Sequence, residues 1–339
     1  MKLNHIKAYI QIIGTQTDSH IFFIRFIGII STVVSSLLIY FIGRKLHSRL
    51  AGIFGIYVFG LTMTWGLLDG ECTSQTETFM ILFSILSFYF VIKGKDHRIW
   101  KYWLILTGIS MGIAIAFKQI AITTTLALIF FILVYTMKNK TKKDALFGLI
   151  LLVFGIGIST FISIIPLLLS GVTFKDYVDG AWSILLSPGS SASLTDHMYG
   201  FFRIWLNSRI AVFYPCLFLL VFQRDIVKNS YFFGLLVWLL FDFIGVNVSG
   251  NYFGHQIKQL MPALSVIIGV LLSNLMTTLK QMNSAETKNI SITITILIII
   301  LFPYKDIIIN GYLKGYPNHE KEIGVWLKEN TNEKEYVYI

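Results

Sequence analysis

The run ALFGLILLVFGIGISTFISIIPLLL, residues 145–169, contains no Asp, Glu, Lys or Arg. At about 1.5 Å per helical residue it is long enough to cross the roughly 30 Å hydrocarbon core of a bilayer. Its apolar residues are continuous rather than alternating, so the backbone in lipid is satisfied by a helix and not by barrel strands. Outward from this run, comparable stretches lie near 25–43, 50–68, 77–93, 102–117, 119–137, 210–223, 231–248, 259–279 and 289–304. With 145–169 they make ten predicted spans, and the predicted fold is all-α, a polytopic transmembrane helix bundle.

Composition agrees. Hydrophobic residues make up 55% of the chain and charged residues only 14%, whereas soluble domains carry about a quarter charged residues. A mean hydropathy of +0.70 excludes a water-soluble surface. The formal net charge of +10 would suit a nucleic-acid or acidic partner, but its distribution points to membrane topology instead. Alternate inter-span segments hold Arg44, Lys45 and Arg49; Lys93, Lys95, Arg98 and Lys101; Lys138, Lys140, Lys142 and Lys143; Arg224 and Lys228; and Lys280 and Lys288. The remaining segments hold Lys118, Lys175, Arg203, Arg209 and Lys258, although they include the longest loop. The positive-inside rule therefore puts both termini of the chain outside, and no nucleic-acid partner is expected.

Three regions follow: an outer-surface juxtamembrane segment at 1–20, the bundle at 21–305 with an external loop at 170–209, and the beginning of an external C-terminal domain at 306–339. Leu3, Ile6, Ile10 and Ile13 fall at helical spacing in the first segment, which predicts an amphipathic surface helix. No secretory signal opens the chain, so an outside N-terminus is most economically read as following a further span upstream of Met1. In the last segment Asn318–Glu329 reads as an amphipathic helix, and Glu335–Ile339 as a strand whose partner lies beyond the chain. Cys72 and Cys216 fall near outer ends of spans, where a bridge or two separate apolar-site thiols are both open readings.

Candidate chemistry gathers at the outer ends. LLDGECTSQTETFMI, residues 67–81, holds Asp69, Glu71 and Glu77, carboxylates that could orient an acceptor, bind a metal or act as base, or simply stop two helices. Lys118 separates two apolar runs so closely that their turn lies at the membrane surface or is tucked into the bundle. Its ammonium could hold a lipid phosphate or snorkel to water. Asp242 sits inside the eighth span, where an ionisable group is a functional candidate unless structurally paired. VSGNYFGHQIKQLMPAL, residues 248–264, places Tyr252, His255, Gln256 and Lys258 before the ninth span, a set suited to a phosphate or sugar at an interface, or to an interfacial belt. No HExxH, GxxxxGK or serine-triad signature occurs, so no metal or cofactor is expected.

Three stretches together resemble the membrane glycosyltransferases of the C-type fold, the superfamily of protein O-mannosyltransferases and the aminoarabinose and galacturonic acid transferases. They are FFIRFIGIISTVVSSLLIYFIGRKL (22–46); QTETFMILFSILSFYFVIKGK (75–95) followed by LTGISMGIAIAFKQIAI (106–122), with an acidic residue before a span and then a Gly-xxx-Gly span closed by Lys118; and NYFGHQIKQLMPALSVIIG (251–269). HEKEIGVWLKENTNEKEYVYI (319–339) resembles the start of the external domain many members carry.

The resemblance implies transfer of a sugar from a polyprenyl-phosphate donor to a lipid, glycan or protein acceptor on the outer side of a bacterial cytoplasmic membrane. It implies Lys118, Arg203, His255 and Lys258 as phosphate contacts, Tyr252 and Gln256 as further substrate contacts, and Glu77, Glu71 and Asp69 as candidate catalytic acids. The family's primary Asp lies in a loop after its first span, which has no counterpart here, so the chain as given is expected to lack turnover. The rival reading is a transporter or flippase of lipid-linked sugars, which would call for paired halves and several membrane-embedded charges. A scaffold subunit is the third.

Overall fold

The computed structural model describes residues 18–64, 76–94, 97–139, 141–186, 194–207, 216–217, 219–220, 223–248 and 254–280. It divides into two units, Met1–Gln281 and Met282–Ile339, and all described residues belong to the first. They are helical apart from short connections, with no strand among them. In chain order the helices are α1 (Asp18–Leu46), α2 (Arg49–Thr64), α3 (Thr76–Gly94), α4 (Trp100–Phe117), α5 (Ile122–Asn139), α6 (Lys142–Leu169), α7 (Phe174–Leu186), α8 (Leu194–Asn207), α9 (Ser230–Val248) and α10 (Met261–Lys280). A 3-10 turn at Gln119–Ala121 joins α4 to α5, another at Gly254–Leu260 precedes α10, and Arg224–Val227 forms one turn before α9.

Among the described residues six helical segments are long and apolar enough to span a membrane: Phe23–Leu46, Thr76–Gly94, Trp100–Phe117, Lys142–Leu169, Ser230–Val248 and Gln256–Lys280. The shorter apolar helices Arg49–Met63 and Gln119–Val134 fill two further predicted positions. The predicted span at 210–223 lies mostly outside the described residues, and the one at 289–304 entirely so. Residues 1–17 and 281–339, with the surface helices and strand read there, are also outside them. The segment 170–209, read as a loop, contains α7 and α8. Its apolar residues Leu194, Met198, Phe201, Phe202 and Trp205 recur at helical spacing, so the signal was present but masked by flanking turn residues.

Local chemistry sets the ends. Thr141 caps α6: its Oγ1 accepts from the Asp144 N–H at 3.2 Å, and Asp144 Oδ2 accepts from the Thr141 N–H at 3.3 Å, satisfying donors the helix start leaves open. At the other end Gly171 adopts φ +90°. The Val172 N–H reaches Leu167 O at 3.2 Å and the Gly171 N–H reaches Leu168 O at 3.1 Å, a left-handed termination that a glycine accommodates without Cβ strain.

The interior is largely apolar, as in a soluble protein, but the outer surface is apolar too. α1 turns Phe23, Ile29, Val33 and Leu37 outward and buries Ser31 and Ser35 with Ile39 and Ile42, while α6 exposes Leu146, Val153, Phe154 and Phe161. Large apolar side chains facing outward, with some small polar groups turned to the helix contacts, suit a lipid solvent. α10 is the central element, its span 83% buried against 28% for α6. Close approach comes from small residues: a Cβ on Gly108 of α4 would lie 2.9 Å from Gly155 Cα of α6, and one on Gly269 of α10 would lie 2.8 Å from the Gly55 nitrogen of α2. Phe88 of α3 stacks on Trp238 of α9 at 3.6 Å.

Contacts also sort the helix termini into two ends. At one end Phe41 of α1 meets Tyr89 of α3, Lys93 of α3 lies over Trp103 of α4, Lys101 of α4 lies over Phe147 of α6, and Ser48 bonds Ser273 of α10. This end collects the basic residues. The opposite end collects the buried ionisable groups.

Candidate functional site

At that opposite end α4 stops at Phe117 because Lys118 leaves the helical region for an extended conformation, φ −157° and ψ 123°. The break is only one residue deep. The Lys118 N–H still bonds Ala114 O at 3.0 Å, and Lys118 O accepts from the Ala121 N–H at 3.1 Å as the 3-10 turn begins. Ile120 and Ala121 are buried, so of the two placements open to the turn, membrane surface or bundle interior, it takes the interior one.

Lys118 Nζ donates to Glu77 Oε1 at the start of α3. The Glu77 side chain is 4% exposed and that of Lys118 is 26% exposed, so the carboxylate is sealed in while the ammonium keeps an edge toward the surface. Thr76 Oγ1 donates to Glu77 Oε2 at 3.1 Å, and Phe117 stacks on Phe79 at 5.5 Å and on Phe83 at 5.9 Å. Two residues read separately from the sequence, one as an acid and one as a phosphate contact, thus form a single ion pair whose apolar neighbours strengthen it.

A second polar cluster joins the same turn to α9 and to the 3-10 turn before α10. Asp242 is buried, and its Oδ1 accepts from Thr124 Oγ1 at 2.6 Å and from Gln259 Nε2 at 3.0 Å. Gln259 Nε2 also lies 2.9 Å from Thr123 Oγ1 and 3.4 Å from Ile120 O. Asp242 is therefore structurally paired, by hydroxyl and amide donors. Gln259 Oε1 is buried without a hydrogen-bond partner among the described residues, leaving one acceptor in the cluster.

Of the other candidates, Lys258 and Gln256 are buried in the 3-10 turn, whose neighbours include α3 and α9. His255 is the second residue of the same turn and Arg203 lies on α8, both placed by backbone alone. Asp69, Glu71, Cys72 and Tyr252 fall outside the described residues, and Cys216 is a free thiol. Sequence reasoning missed Thr123, Thr124 and Gln259. The available signal was a run of three threonines, Thr123–Thr125, opening an otherwise apolar span. Among the described residues no group of three or more His, Cys, Asp or Glu could hold a metal ion.

A protein-family model described as dolichyl-phosphate-mannose-protein mannosyltransferase matches residues 6–164, which include α1–α5 and most of α6. No curated protein matches the chain. Among solved structures, the oligosaccharyltransferase AglB from the archaeon Archaeoglobus fulgidus, in complex with an inhibitory peptide and a dolichol-phosphate, superposes with a TM-score of 0.61 at 13% identity over 98% of this chain and 50% of its own. The Archaeoglobus fulgidus oligosaccharyltransferase complexed with zinc and sulfate gives a TM-score of 0.60 at 14% identity over 98% of this chain and 46% of its own. The chain thus spans about half the length of the solved structures it matches, and at these identities the likeness is one of fold.

Proposed function

We propose that this chain, which carries the C-type fold of membrane glycosyltransferases, binds a polyprenyl-phosphate sugar at the Glu77–Lys118 end of its bundle and takes part in transferring the sugar to an acceptor there. The observation that carries the reading is the buried ion pair at the break between α4 and α5, inside the stretch matched by the mannosyltransferase family model.

In the transfer an acceptor oxygen attacks the anomeric carbon, the bond from that carbon to the phosphate oxygen breaks, and the lipid phosphate leaves with the electron pair. Charge grows on the departing phosphate, and a cation held in a low-dielectric site stabilises it without reorganising solvent. Lys118 is the cation with an exposed edge, and Glu77 orients it until the phosphate shares it. Lys258, fully buried, contributes through the field of its charge rather than by contact. On the family resemblance, Arg203 and His255 are assigned to the phosphate and Tyr252 and Gln256 to the sugar. The acceptor's proton passes to a carboxylate among Glu77, Glu71 and Asp69. The side of the membrane is the outer one of a bacterial cytoplasmic membrane, as the basic-residue distribution argues.

Binding tests this independently of turnover. Lys118→Met alone strands the Glu77 carboxylate, so the informative variant is Glu77→Gln/Lys118→Met, which keeps the site's volume without either charge. In lipid nanodiscs the wild type should bind a polyprenyl-phosphate hexose, and the double variant should bind it at least about tenfold more weakly, the typical worth of a charge-assisted hydrogen bond. Equal affinities would overturn the proposal.

A further inference from the structure

At the opposite end, α1 and α3 close together around a cavity of about 340 Å³ lined by Phe41, Arg44, Lys45, Tyr89, Ile92 and Lys93. Arg44 and Lys45 occupy the last turn of α1, and Lys93 the last turn of α3. Cations there also favour the helix termini, which offers one reason for their presence. That reason does not account for a cavity between two helices with all three cations on its wall.

The lining divides by chemistry. Phe41, Tyr89 and Ile92 form an apolar and aromatic floor, with the Phe41 and Tyr89 rings 6.1 Å apart. Lys93 Nζ is held over aromatic faces, 4.7 Å from the Trp103 ring centre and 5.6 Å from that of Tyr89. Arg44, Lys45 and Lys93 are all exposed, and among the described residues no carboxylate pairs with any of them. Phe41 is 42% exposed beside the cavity and continues a stripe of outward apolar residues through Leu37 and Val34.

We propose that this cavity binds the phosphate headgroup of an anionic membrane phospholipid, with an acyl chain lying along the exposed apolar face of α1. Three exposed cations around one cavity, with no carboxylate paired to them among the described residues, select a phosphate, and the guanidinium of Arg44 can meet two of its oxygens at once. A free anion would not use the apolar stripe that leads away from the site, whereas a lipid needs one. Basic pockets between membrane helices recognise anionic headgroups on this physical basis, each cation near the surface contributing roughly a fivefold gain in affinity. The site lies at the end of the bundle away from Glu77 and Lys118 and does not depend on the proposed donor site.

The purified full chain in neutral detergent, titrated with phosphatidylglycerol, phosphatidylcholine or inorganic phosphate and read by native mass spectrometry, tests it. Phosphatidylglycerol should bind at least about tenfold more tightly than phosphatidylcholine, and millimolar inorganic phosphate should leave it bound. Lys93→Gln, which retains Arg44 and Lys45 and so the topological signal, should weaken phosphatidylglycerol about fivefold, and Arg44→Gln/Lys45→Gln/Lys93→Gln should abolish the preference. Arg49→Gln/Arg98→Gln/Lys101→Gln removes equal charge from the same end outside the cavity and should preserve it. An equal loss in that control would show diffuse surface charge rather than a site. Displacement by inorganic phosphate would show a site for a free anion, and either result overturns the proposal.

Discussion

The two ends of the bundle use the same residue types in opposite ways. At one end Arg44, Lys45, Lys93 and Lys101 stand exposed on helix termini, Lys93 and Lys101 over aromatic faces. At the other, Glu77, Asp242 and Lys258 are buried, and Lys118 keeps only an edge outside. A charge in water is a surface feature that a neighbour scarcely changes, while a charge sealed among apolar side chains depends wholly on its partner. Mutational sensitivity should therefore concentrate at the buried end, and binding of diffusing anionic lipid at the exposed one.

The sharpest way to break this contrast is Lys118→Met. It removes the cation that faces the nearly inaccessible Glu77 carboxylate, and about 3 kcal/mol or more of stability should be lost, read as a drop in unfolding free energy in mixed detergent micelles. Glu77→Gln should be milder, because Lys118 retains an exposed edge and can turn to water. The double variant should recover much of the loss, and additive single effects would show that the pair is not coupled.

Next in size, Asp242→Ala should cost roughly 2–3 kcal/mol by stranding the Thr124 hydroxyl and the Gln259 amide. Asp242→Asn keeps an accepting oxygen for both donors and should cost less than half as much. If Asn and Ala were equally harmful, the negative charge rather than the hydrogen bonding would be the important property. By contrast, Lys93→Gln at the exposed end should leave the unfolding midpoint unchanged within measurement error, since exposed charges contribute little.

The orientation of the contrast can be read by reporter fusions. Positions 95, 141, 226 and 284 should report the inside, and 72, 195 and 320 the outside. A reporter at 141 found outside would mean that four lysines had crossed, and the assignment of ends to membrane sides would fail.

The smallest expected effect is at His47, in the turn between α1 and α2. Burial lowers its pKa below the usual 6.5, so the folded state favours neutral imidazole. As pH falls from above 6.5 toward the depressed folded value, the unfolded chain takes up a proton that the folded one resists. A small amount of stability is lost across that window and none further below it. His47→Gln should remove this slope and leave the rest of the pH profile unchanged.

How much of this was legible depended on range. The α4–α5 break at Lys118 could be read locally, because two apolar runs separated by one charged residue leave no room for a loop. α7 and α8 could not be separated from loop by eye, since Pro188, Gly189 and neighbouring serines interrupt the pattern. Asp242 was recognisable as an anomaly in an apolar span, but its partners were not, because threonine and glutamine are common enough in membrane helices to pass as filler.

The sequence by itself determined where the long helices run and which ends carry the exposed cations. Both follow from rules acting within a segment: hydrocarbon thickness fixes the length of an apolar run, lipid forces the backbone to satisfy itself internally, and basic residues prefer one side. The tertiary structure alone decided that Glu77 meets Lys118 and that Asp242 meets Thr124 and Gln259. Such pairings depend on the rotation and vertical register of packed helices. Those are fixed by small-residue crossings such as Gly108 on Gly155, which no single segment encodes on its own.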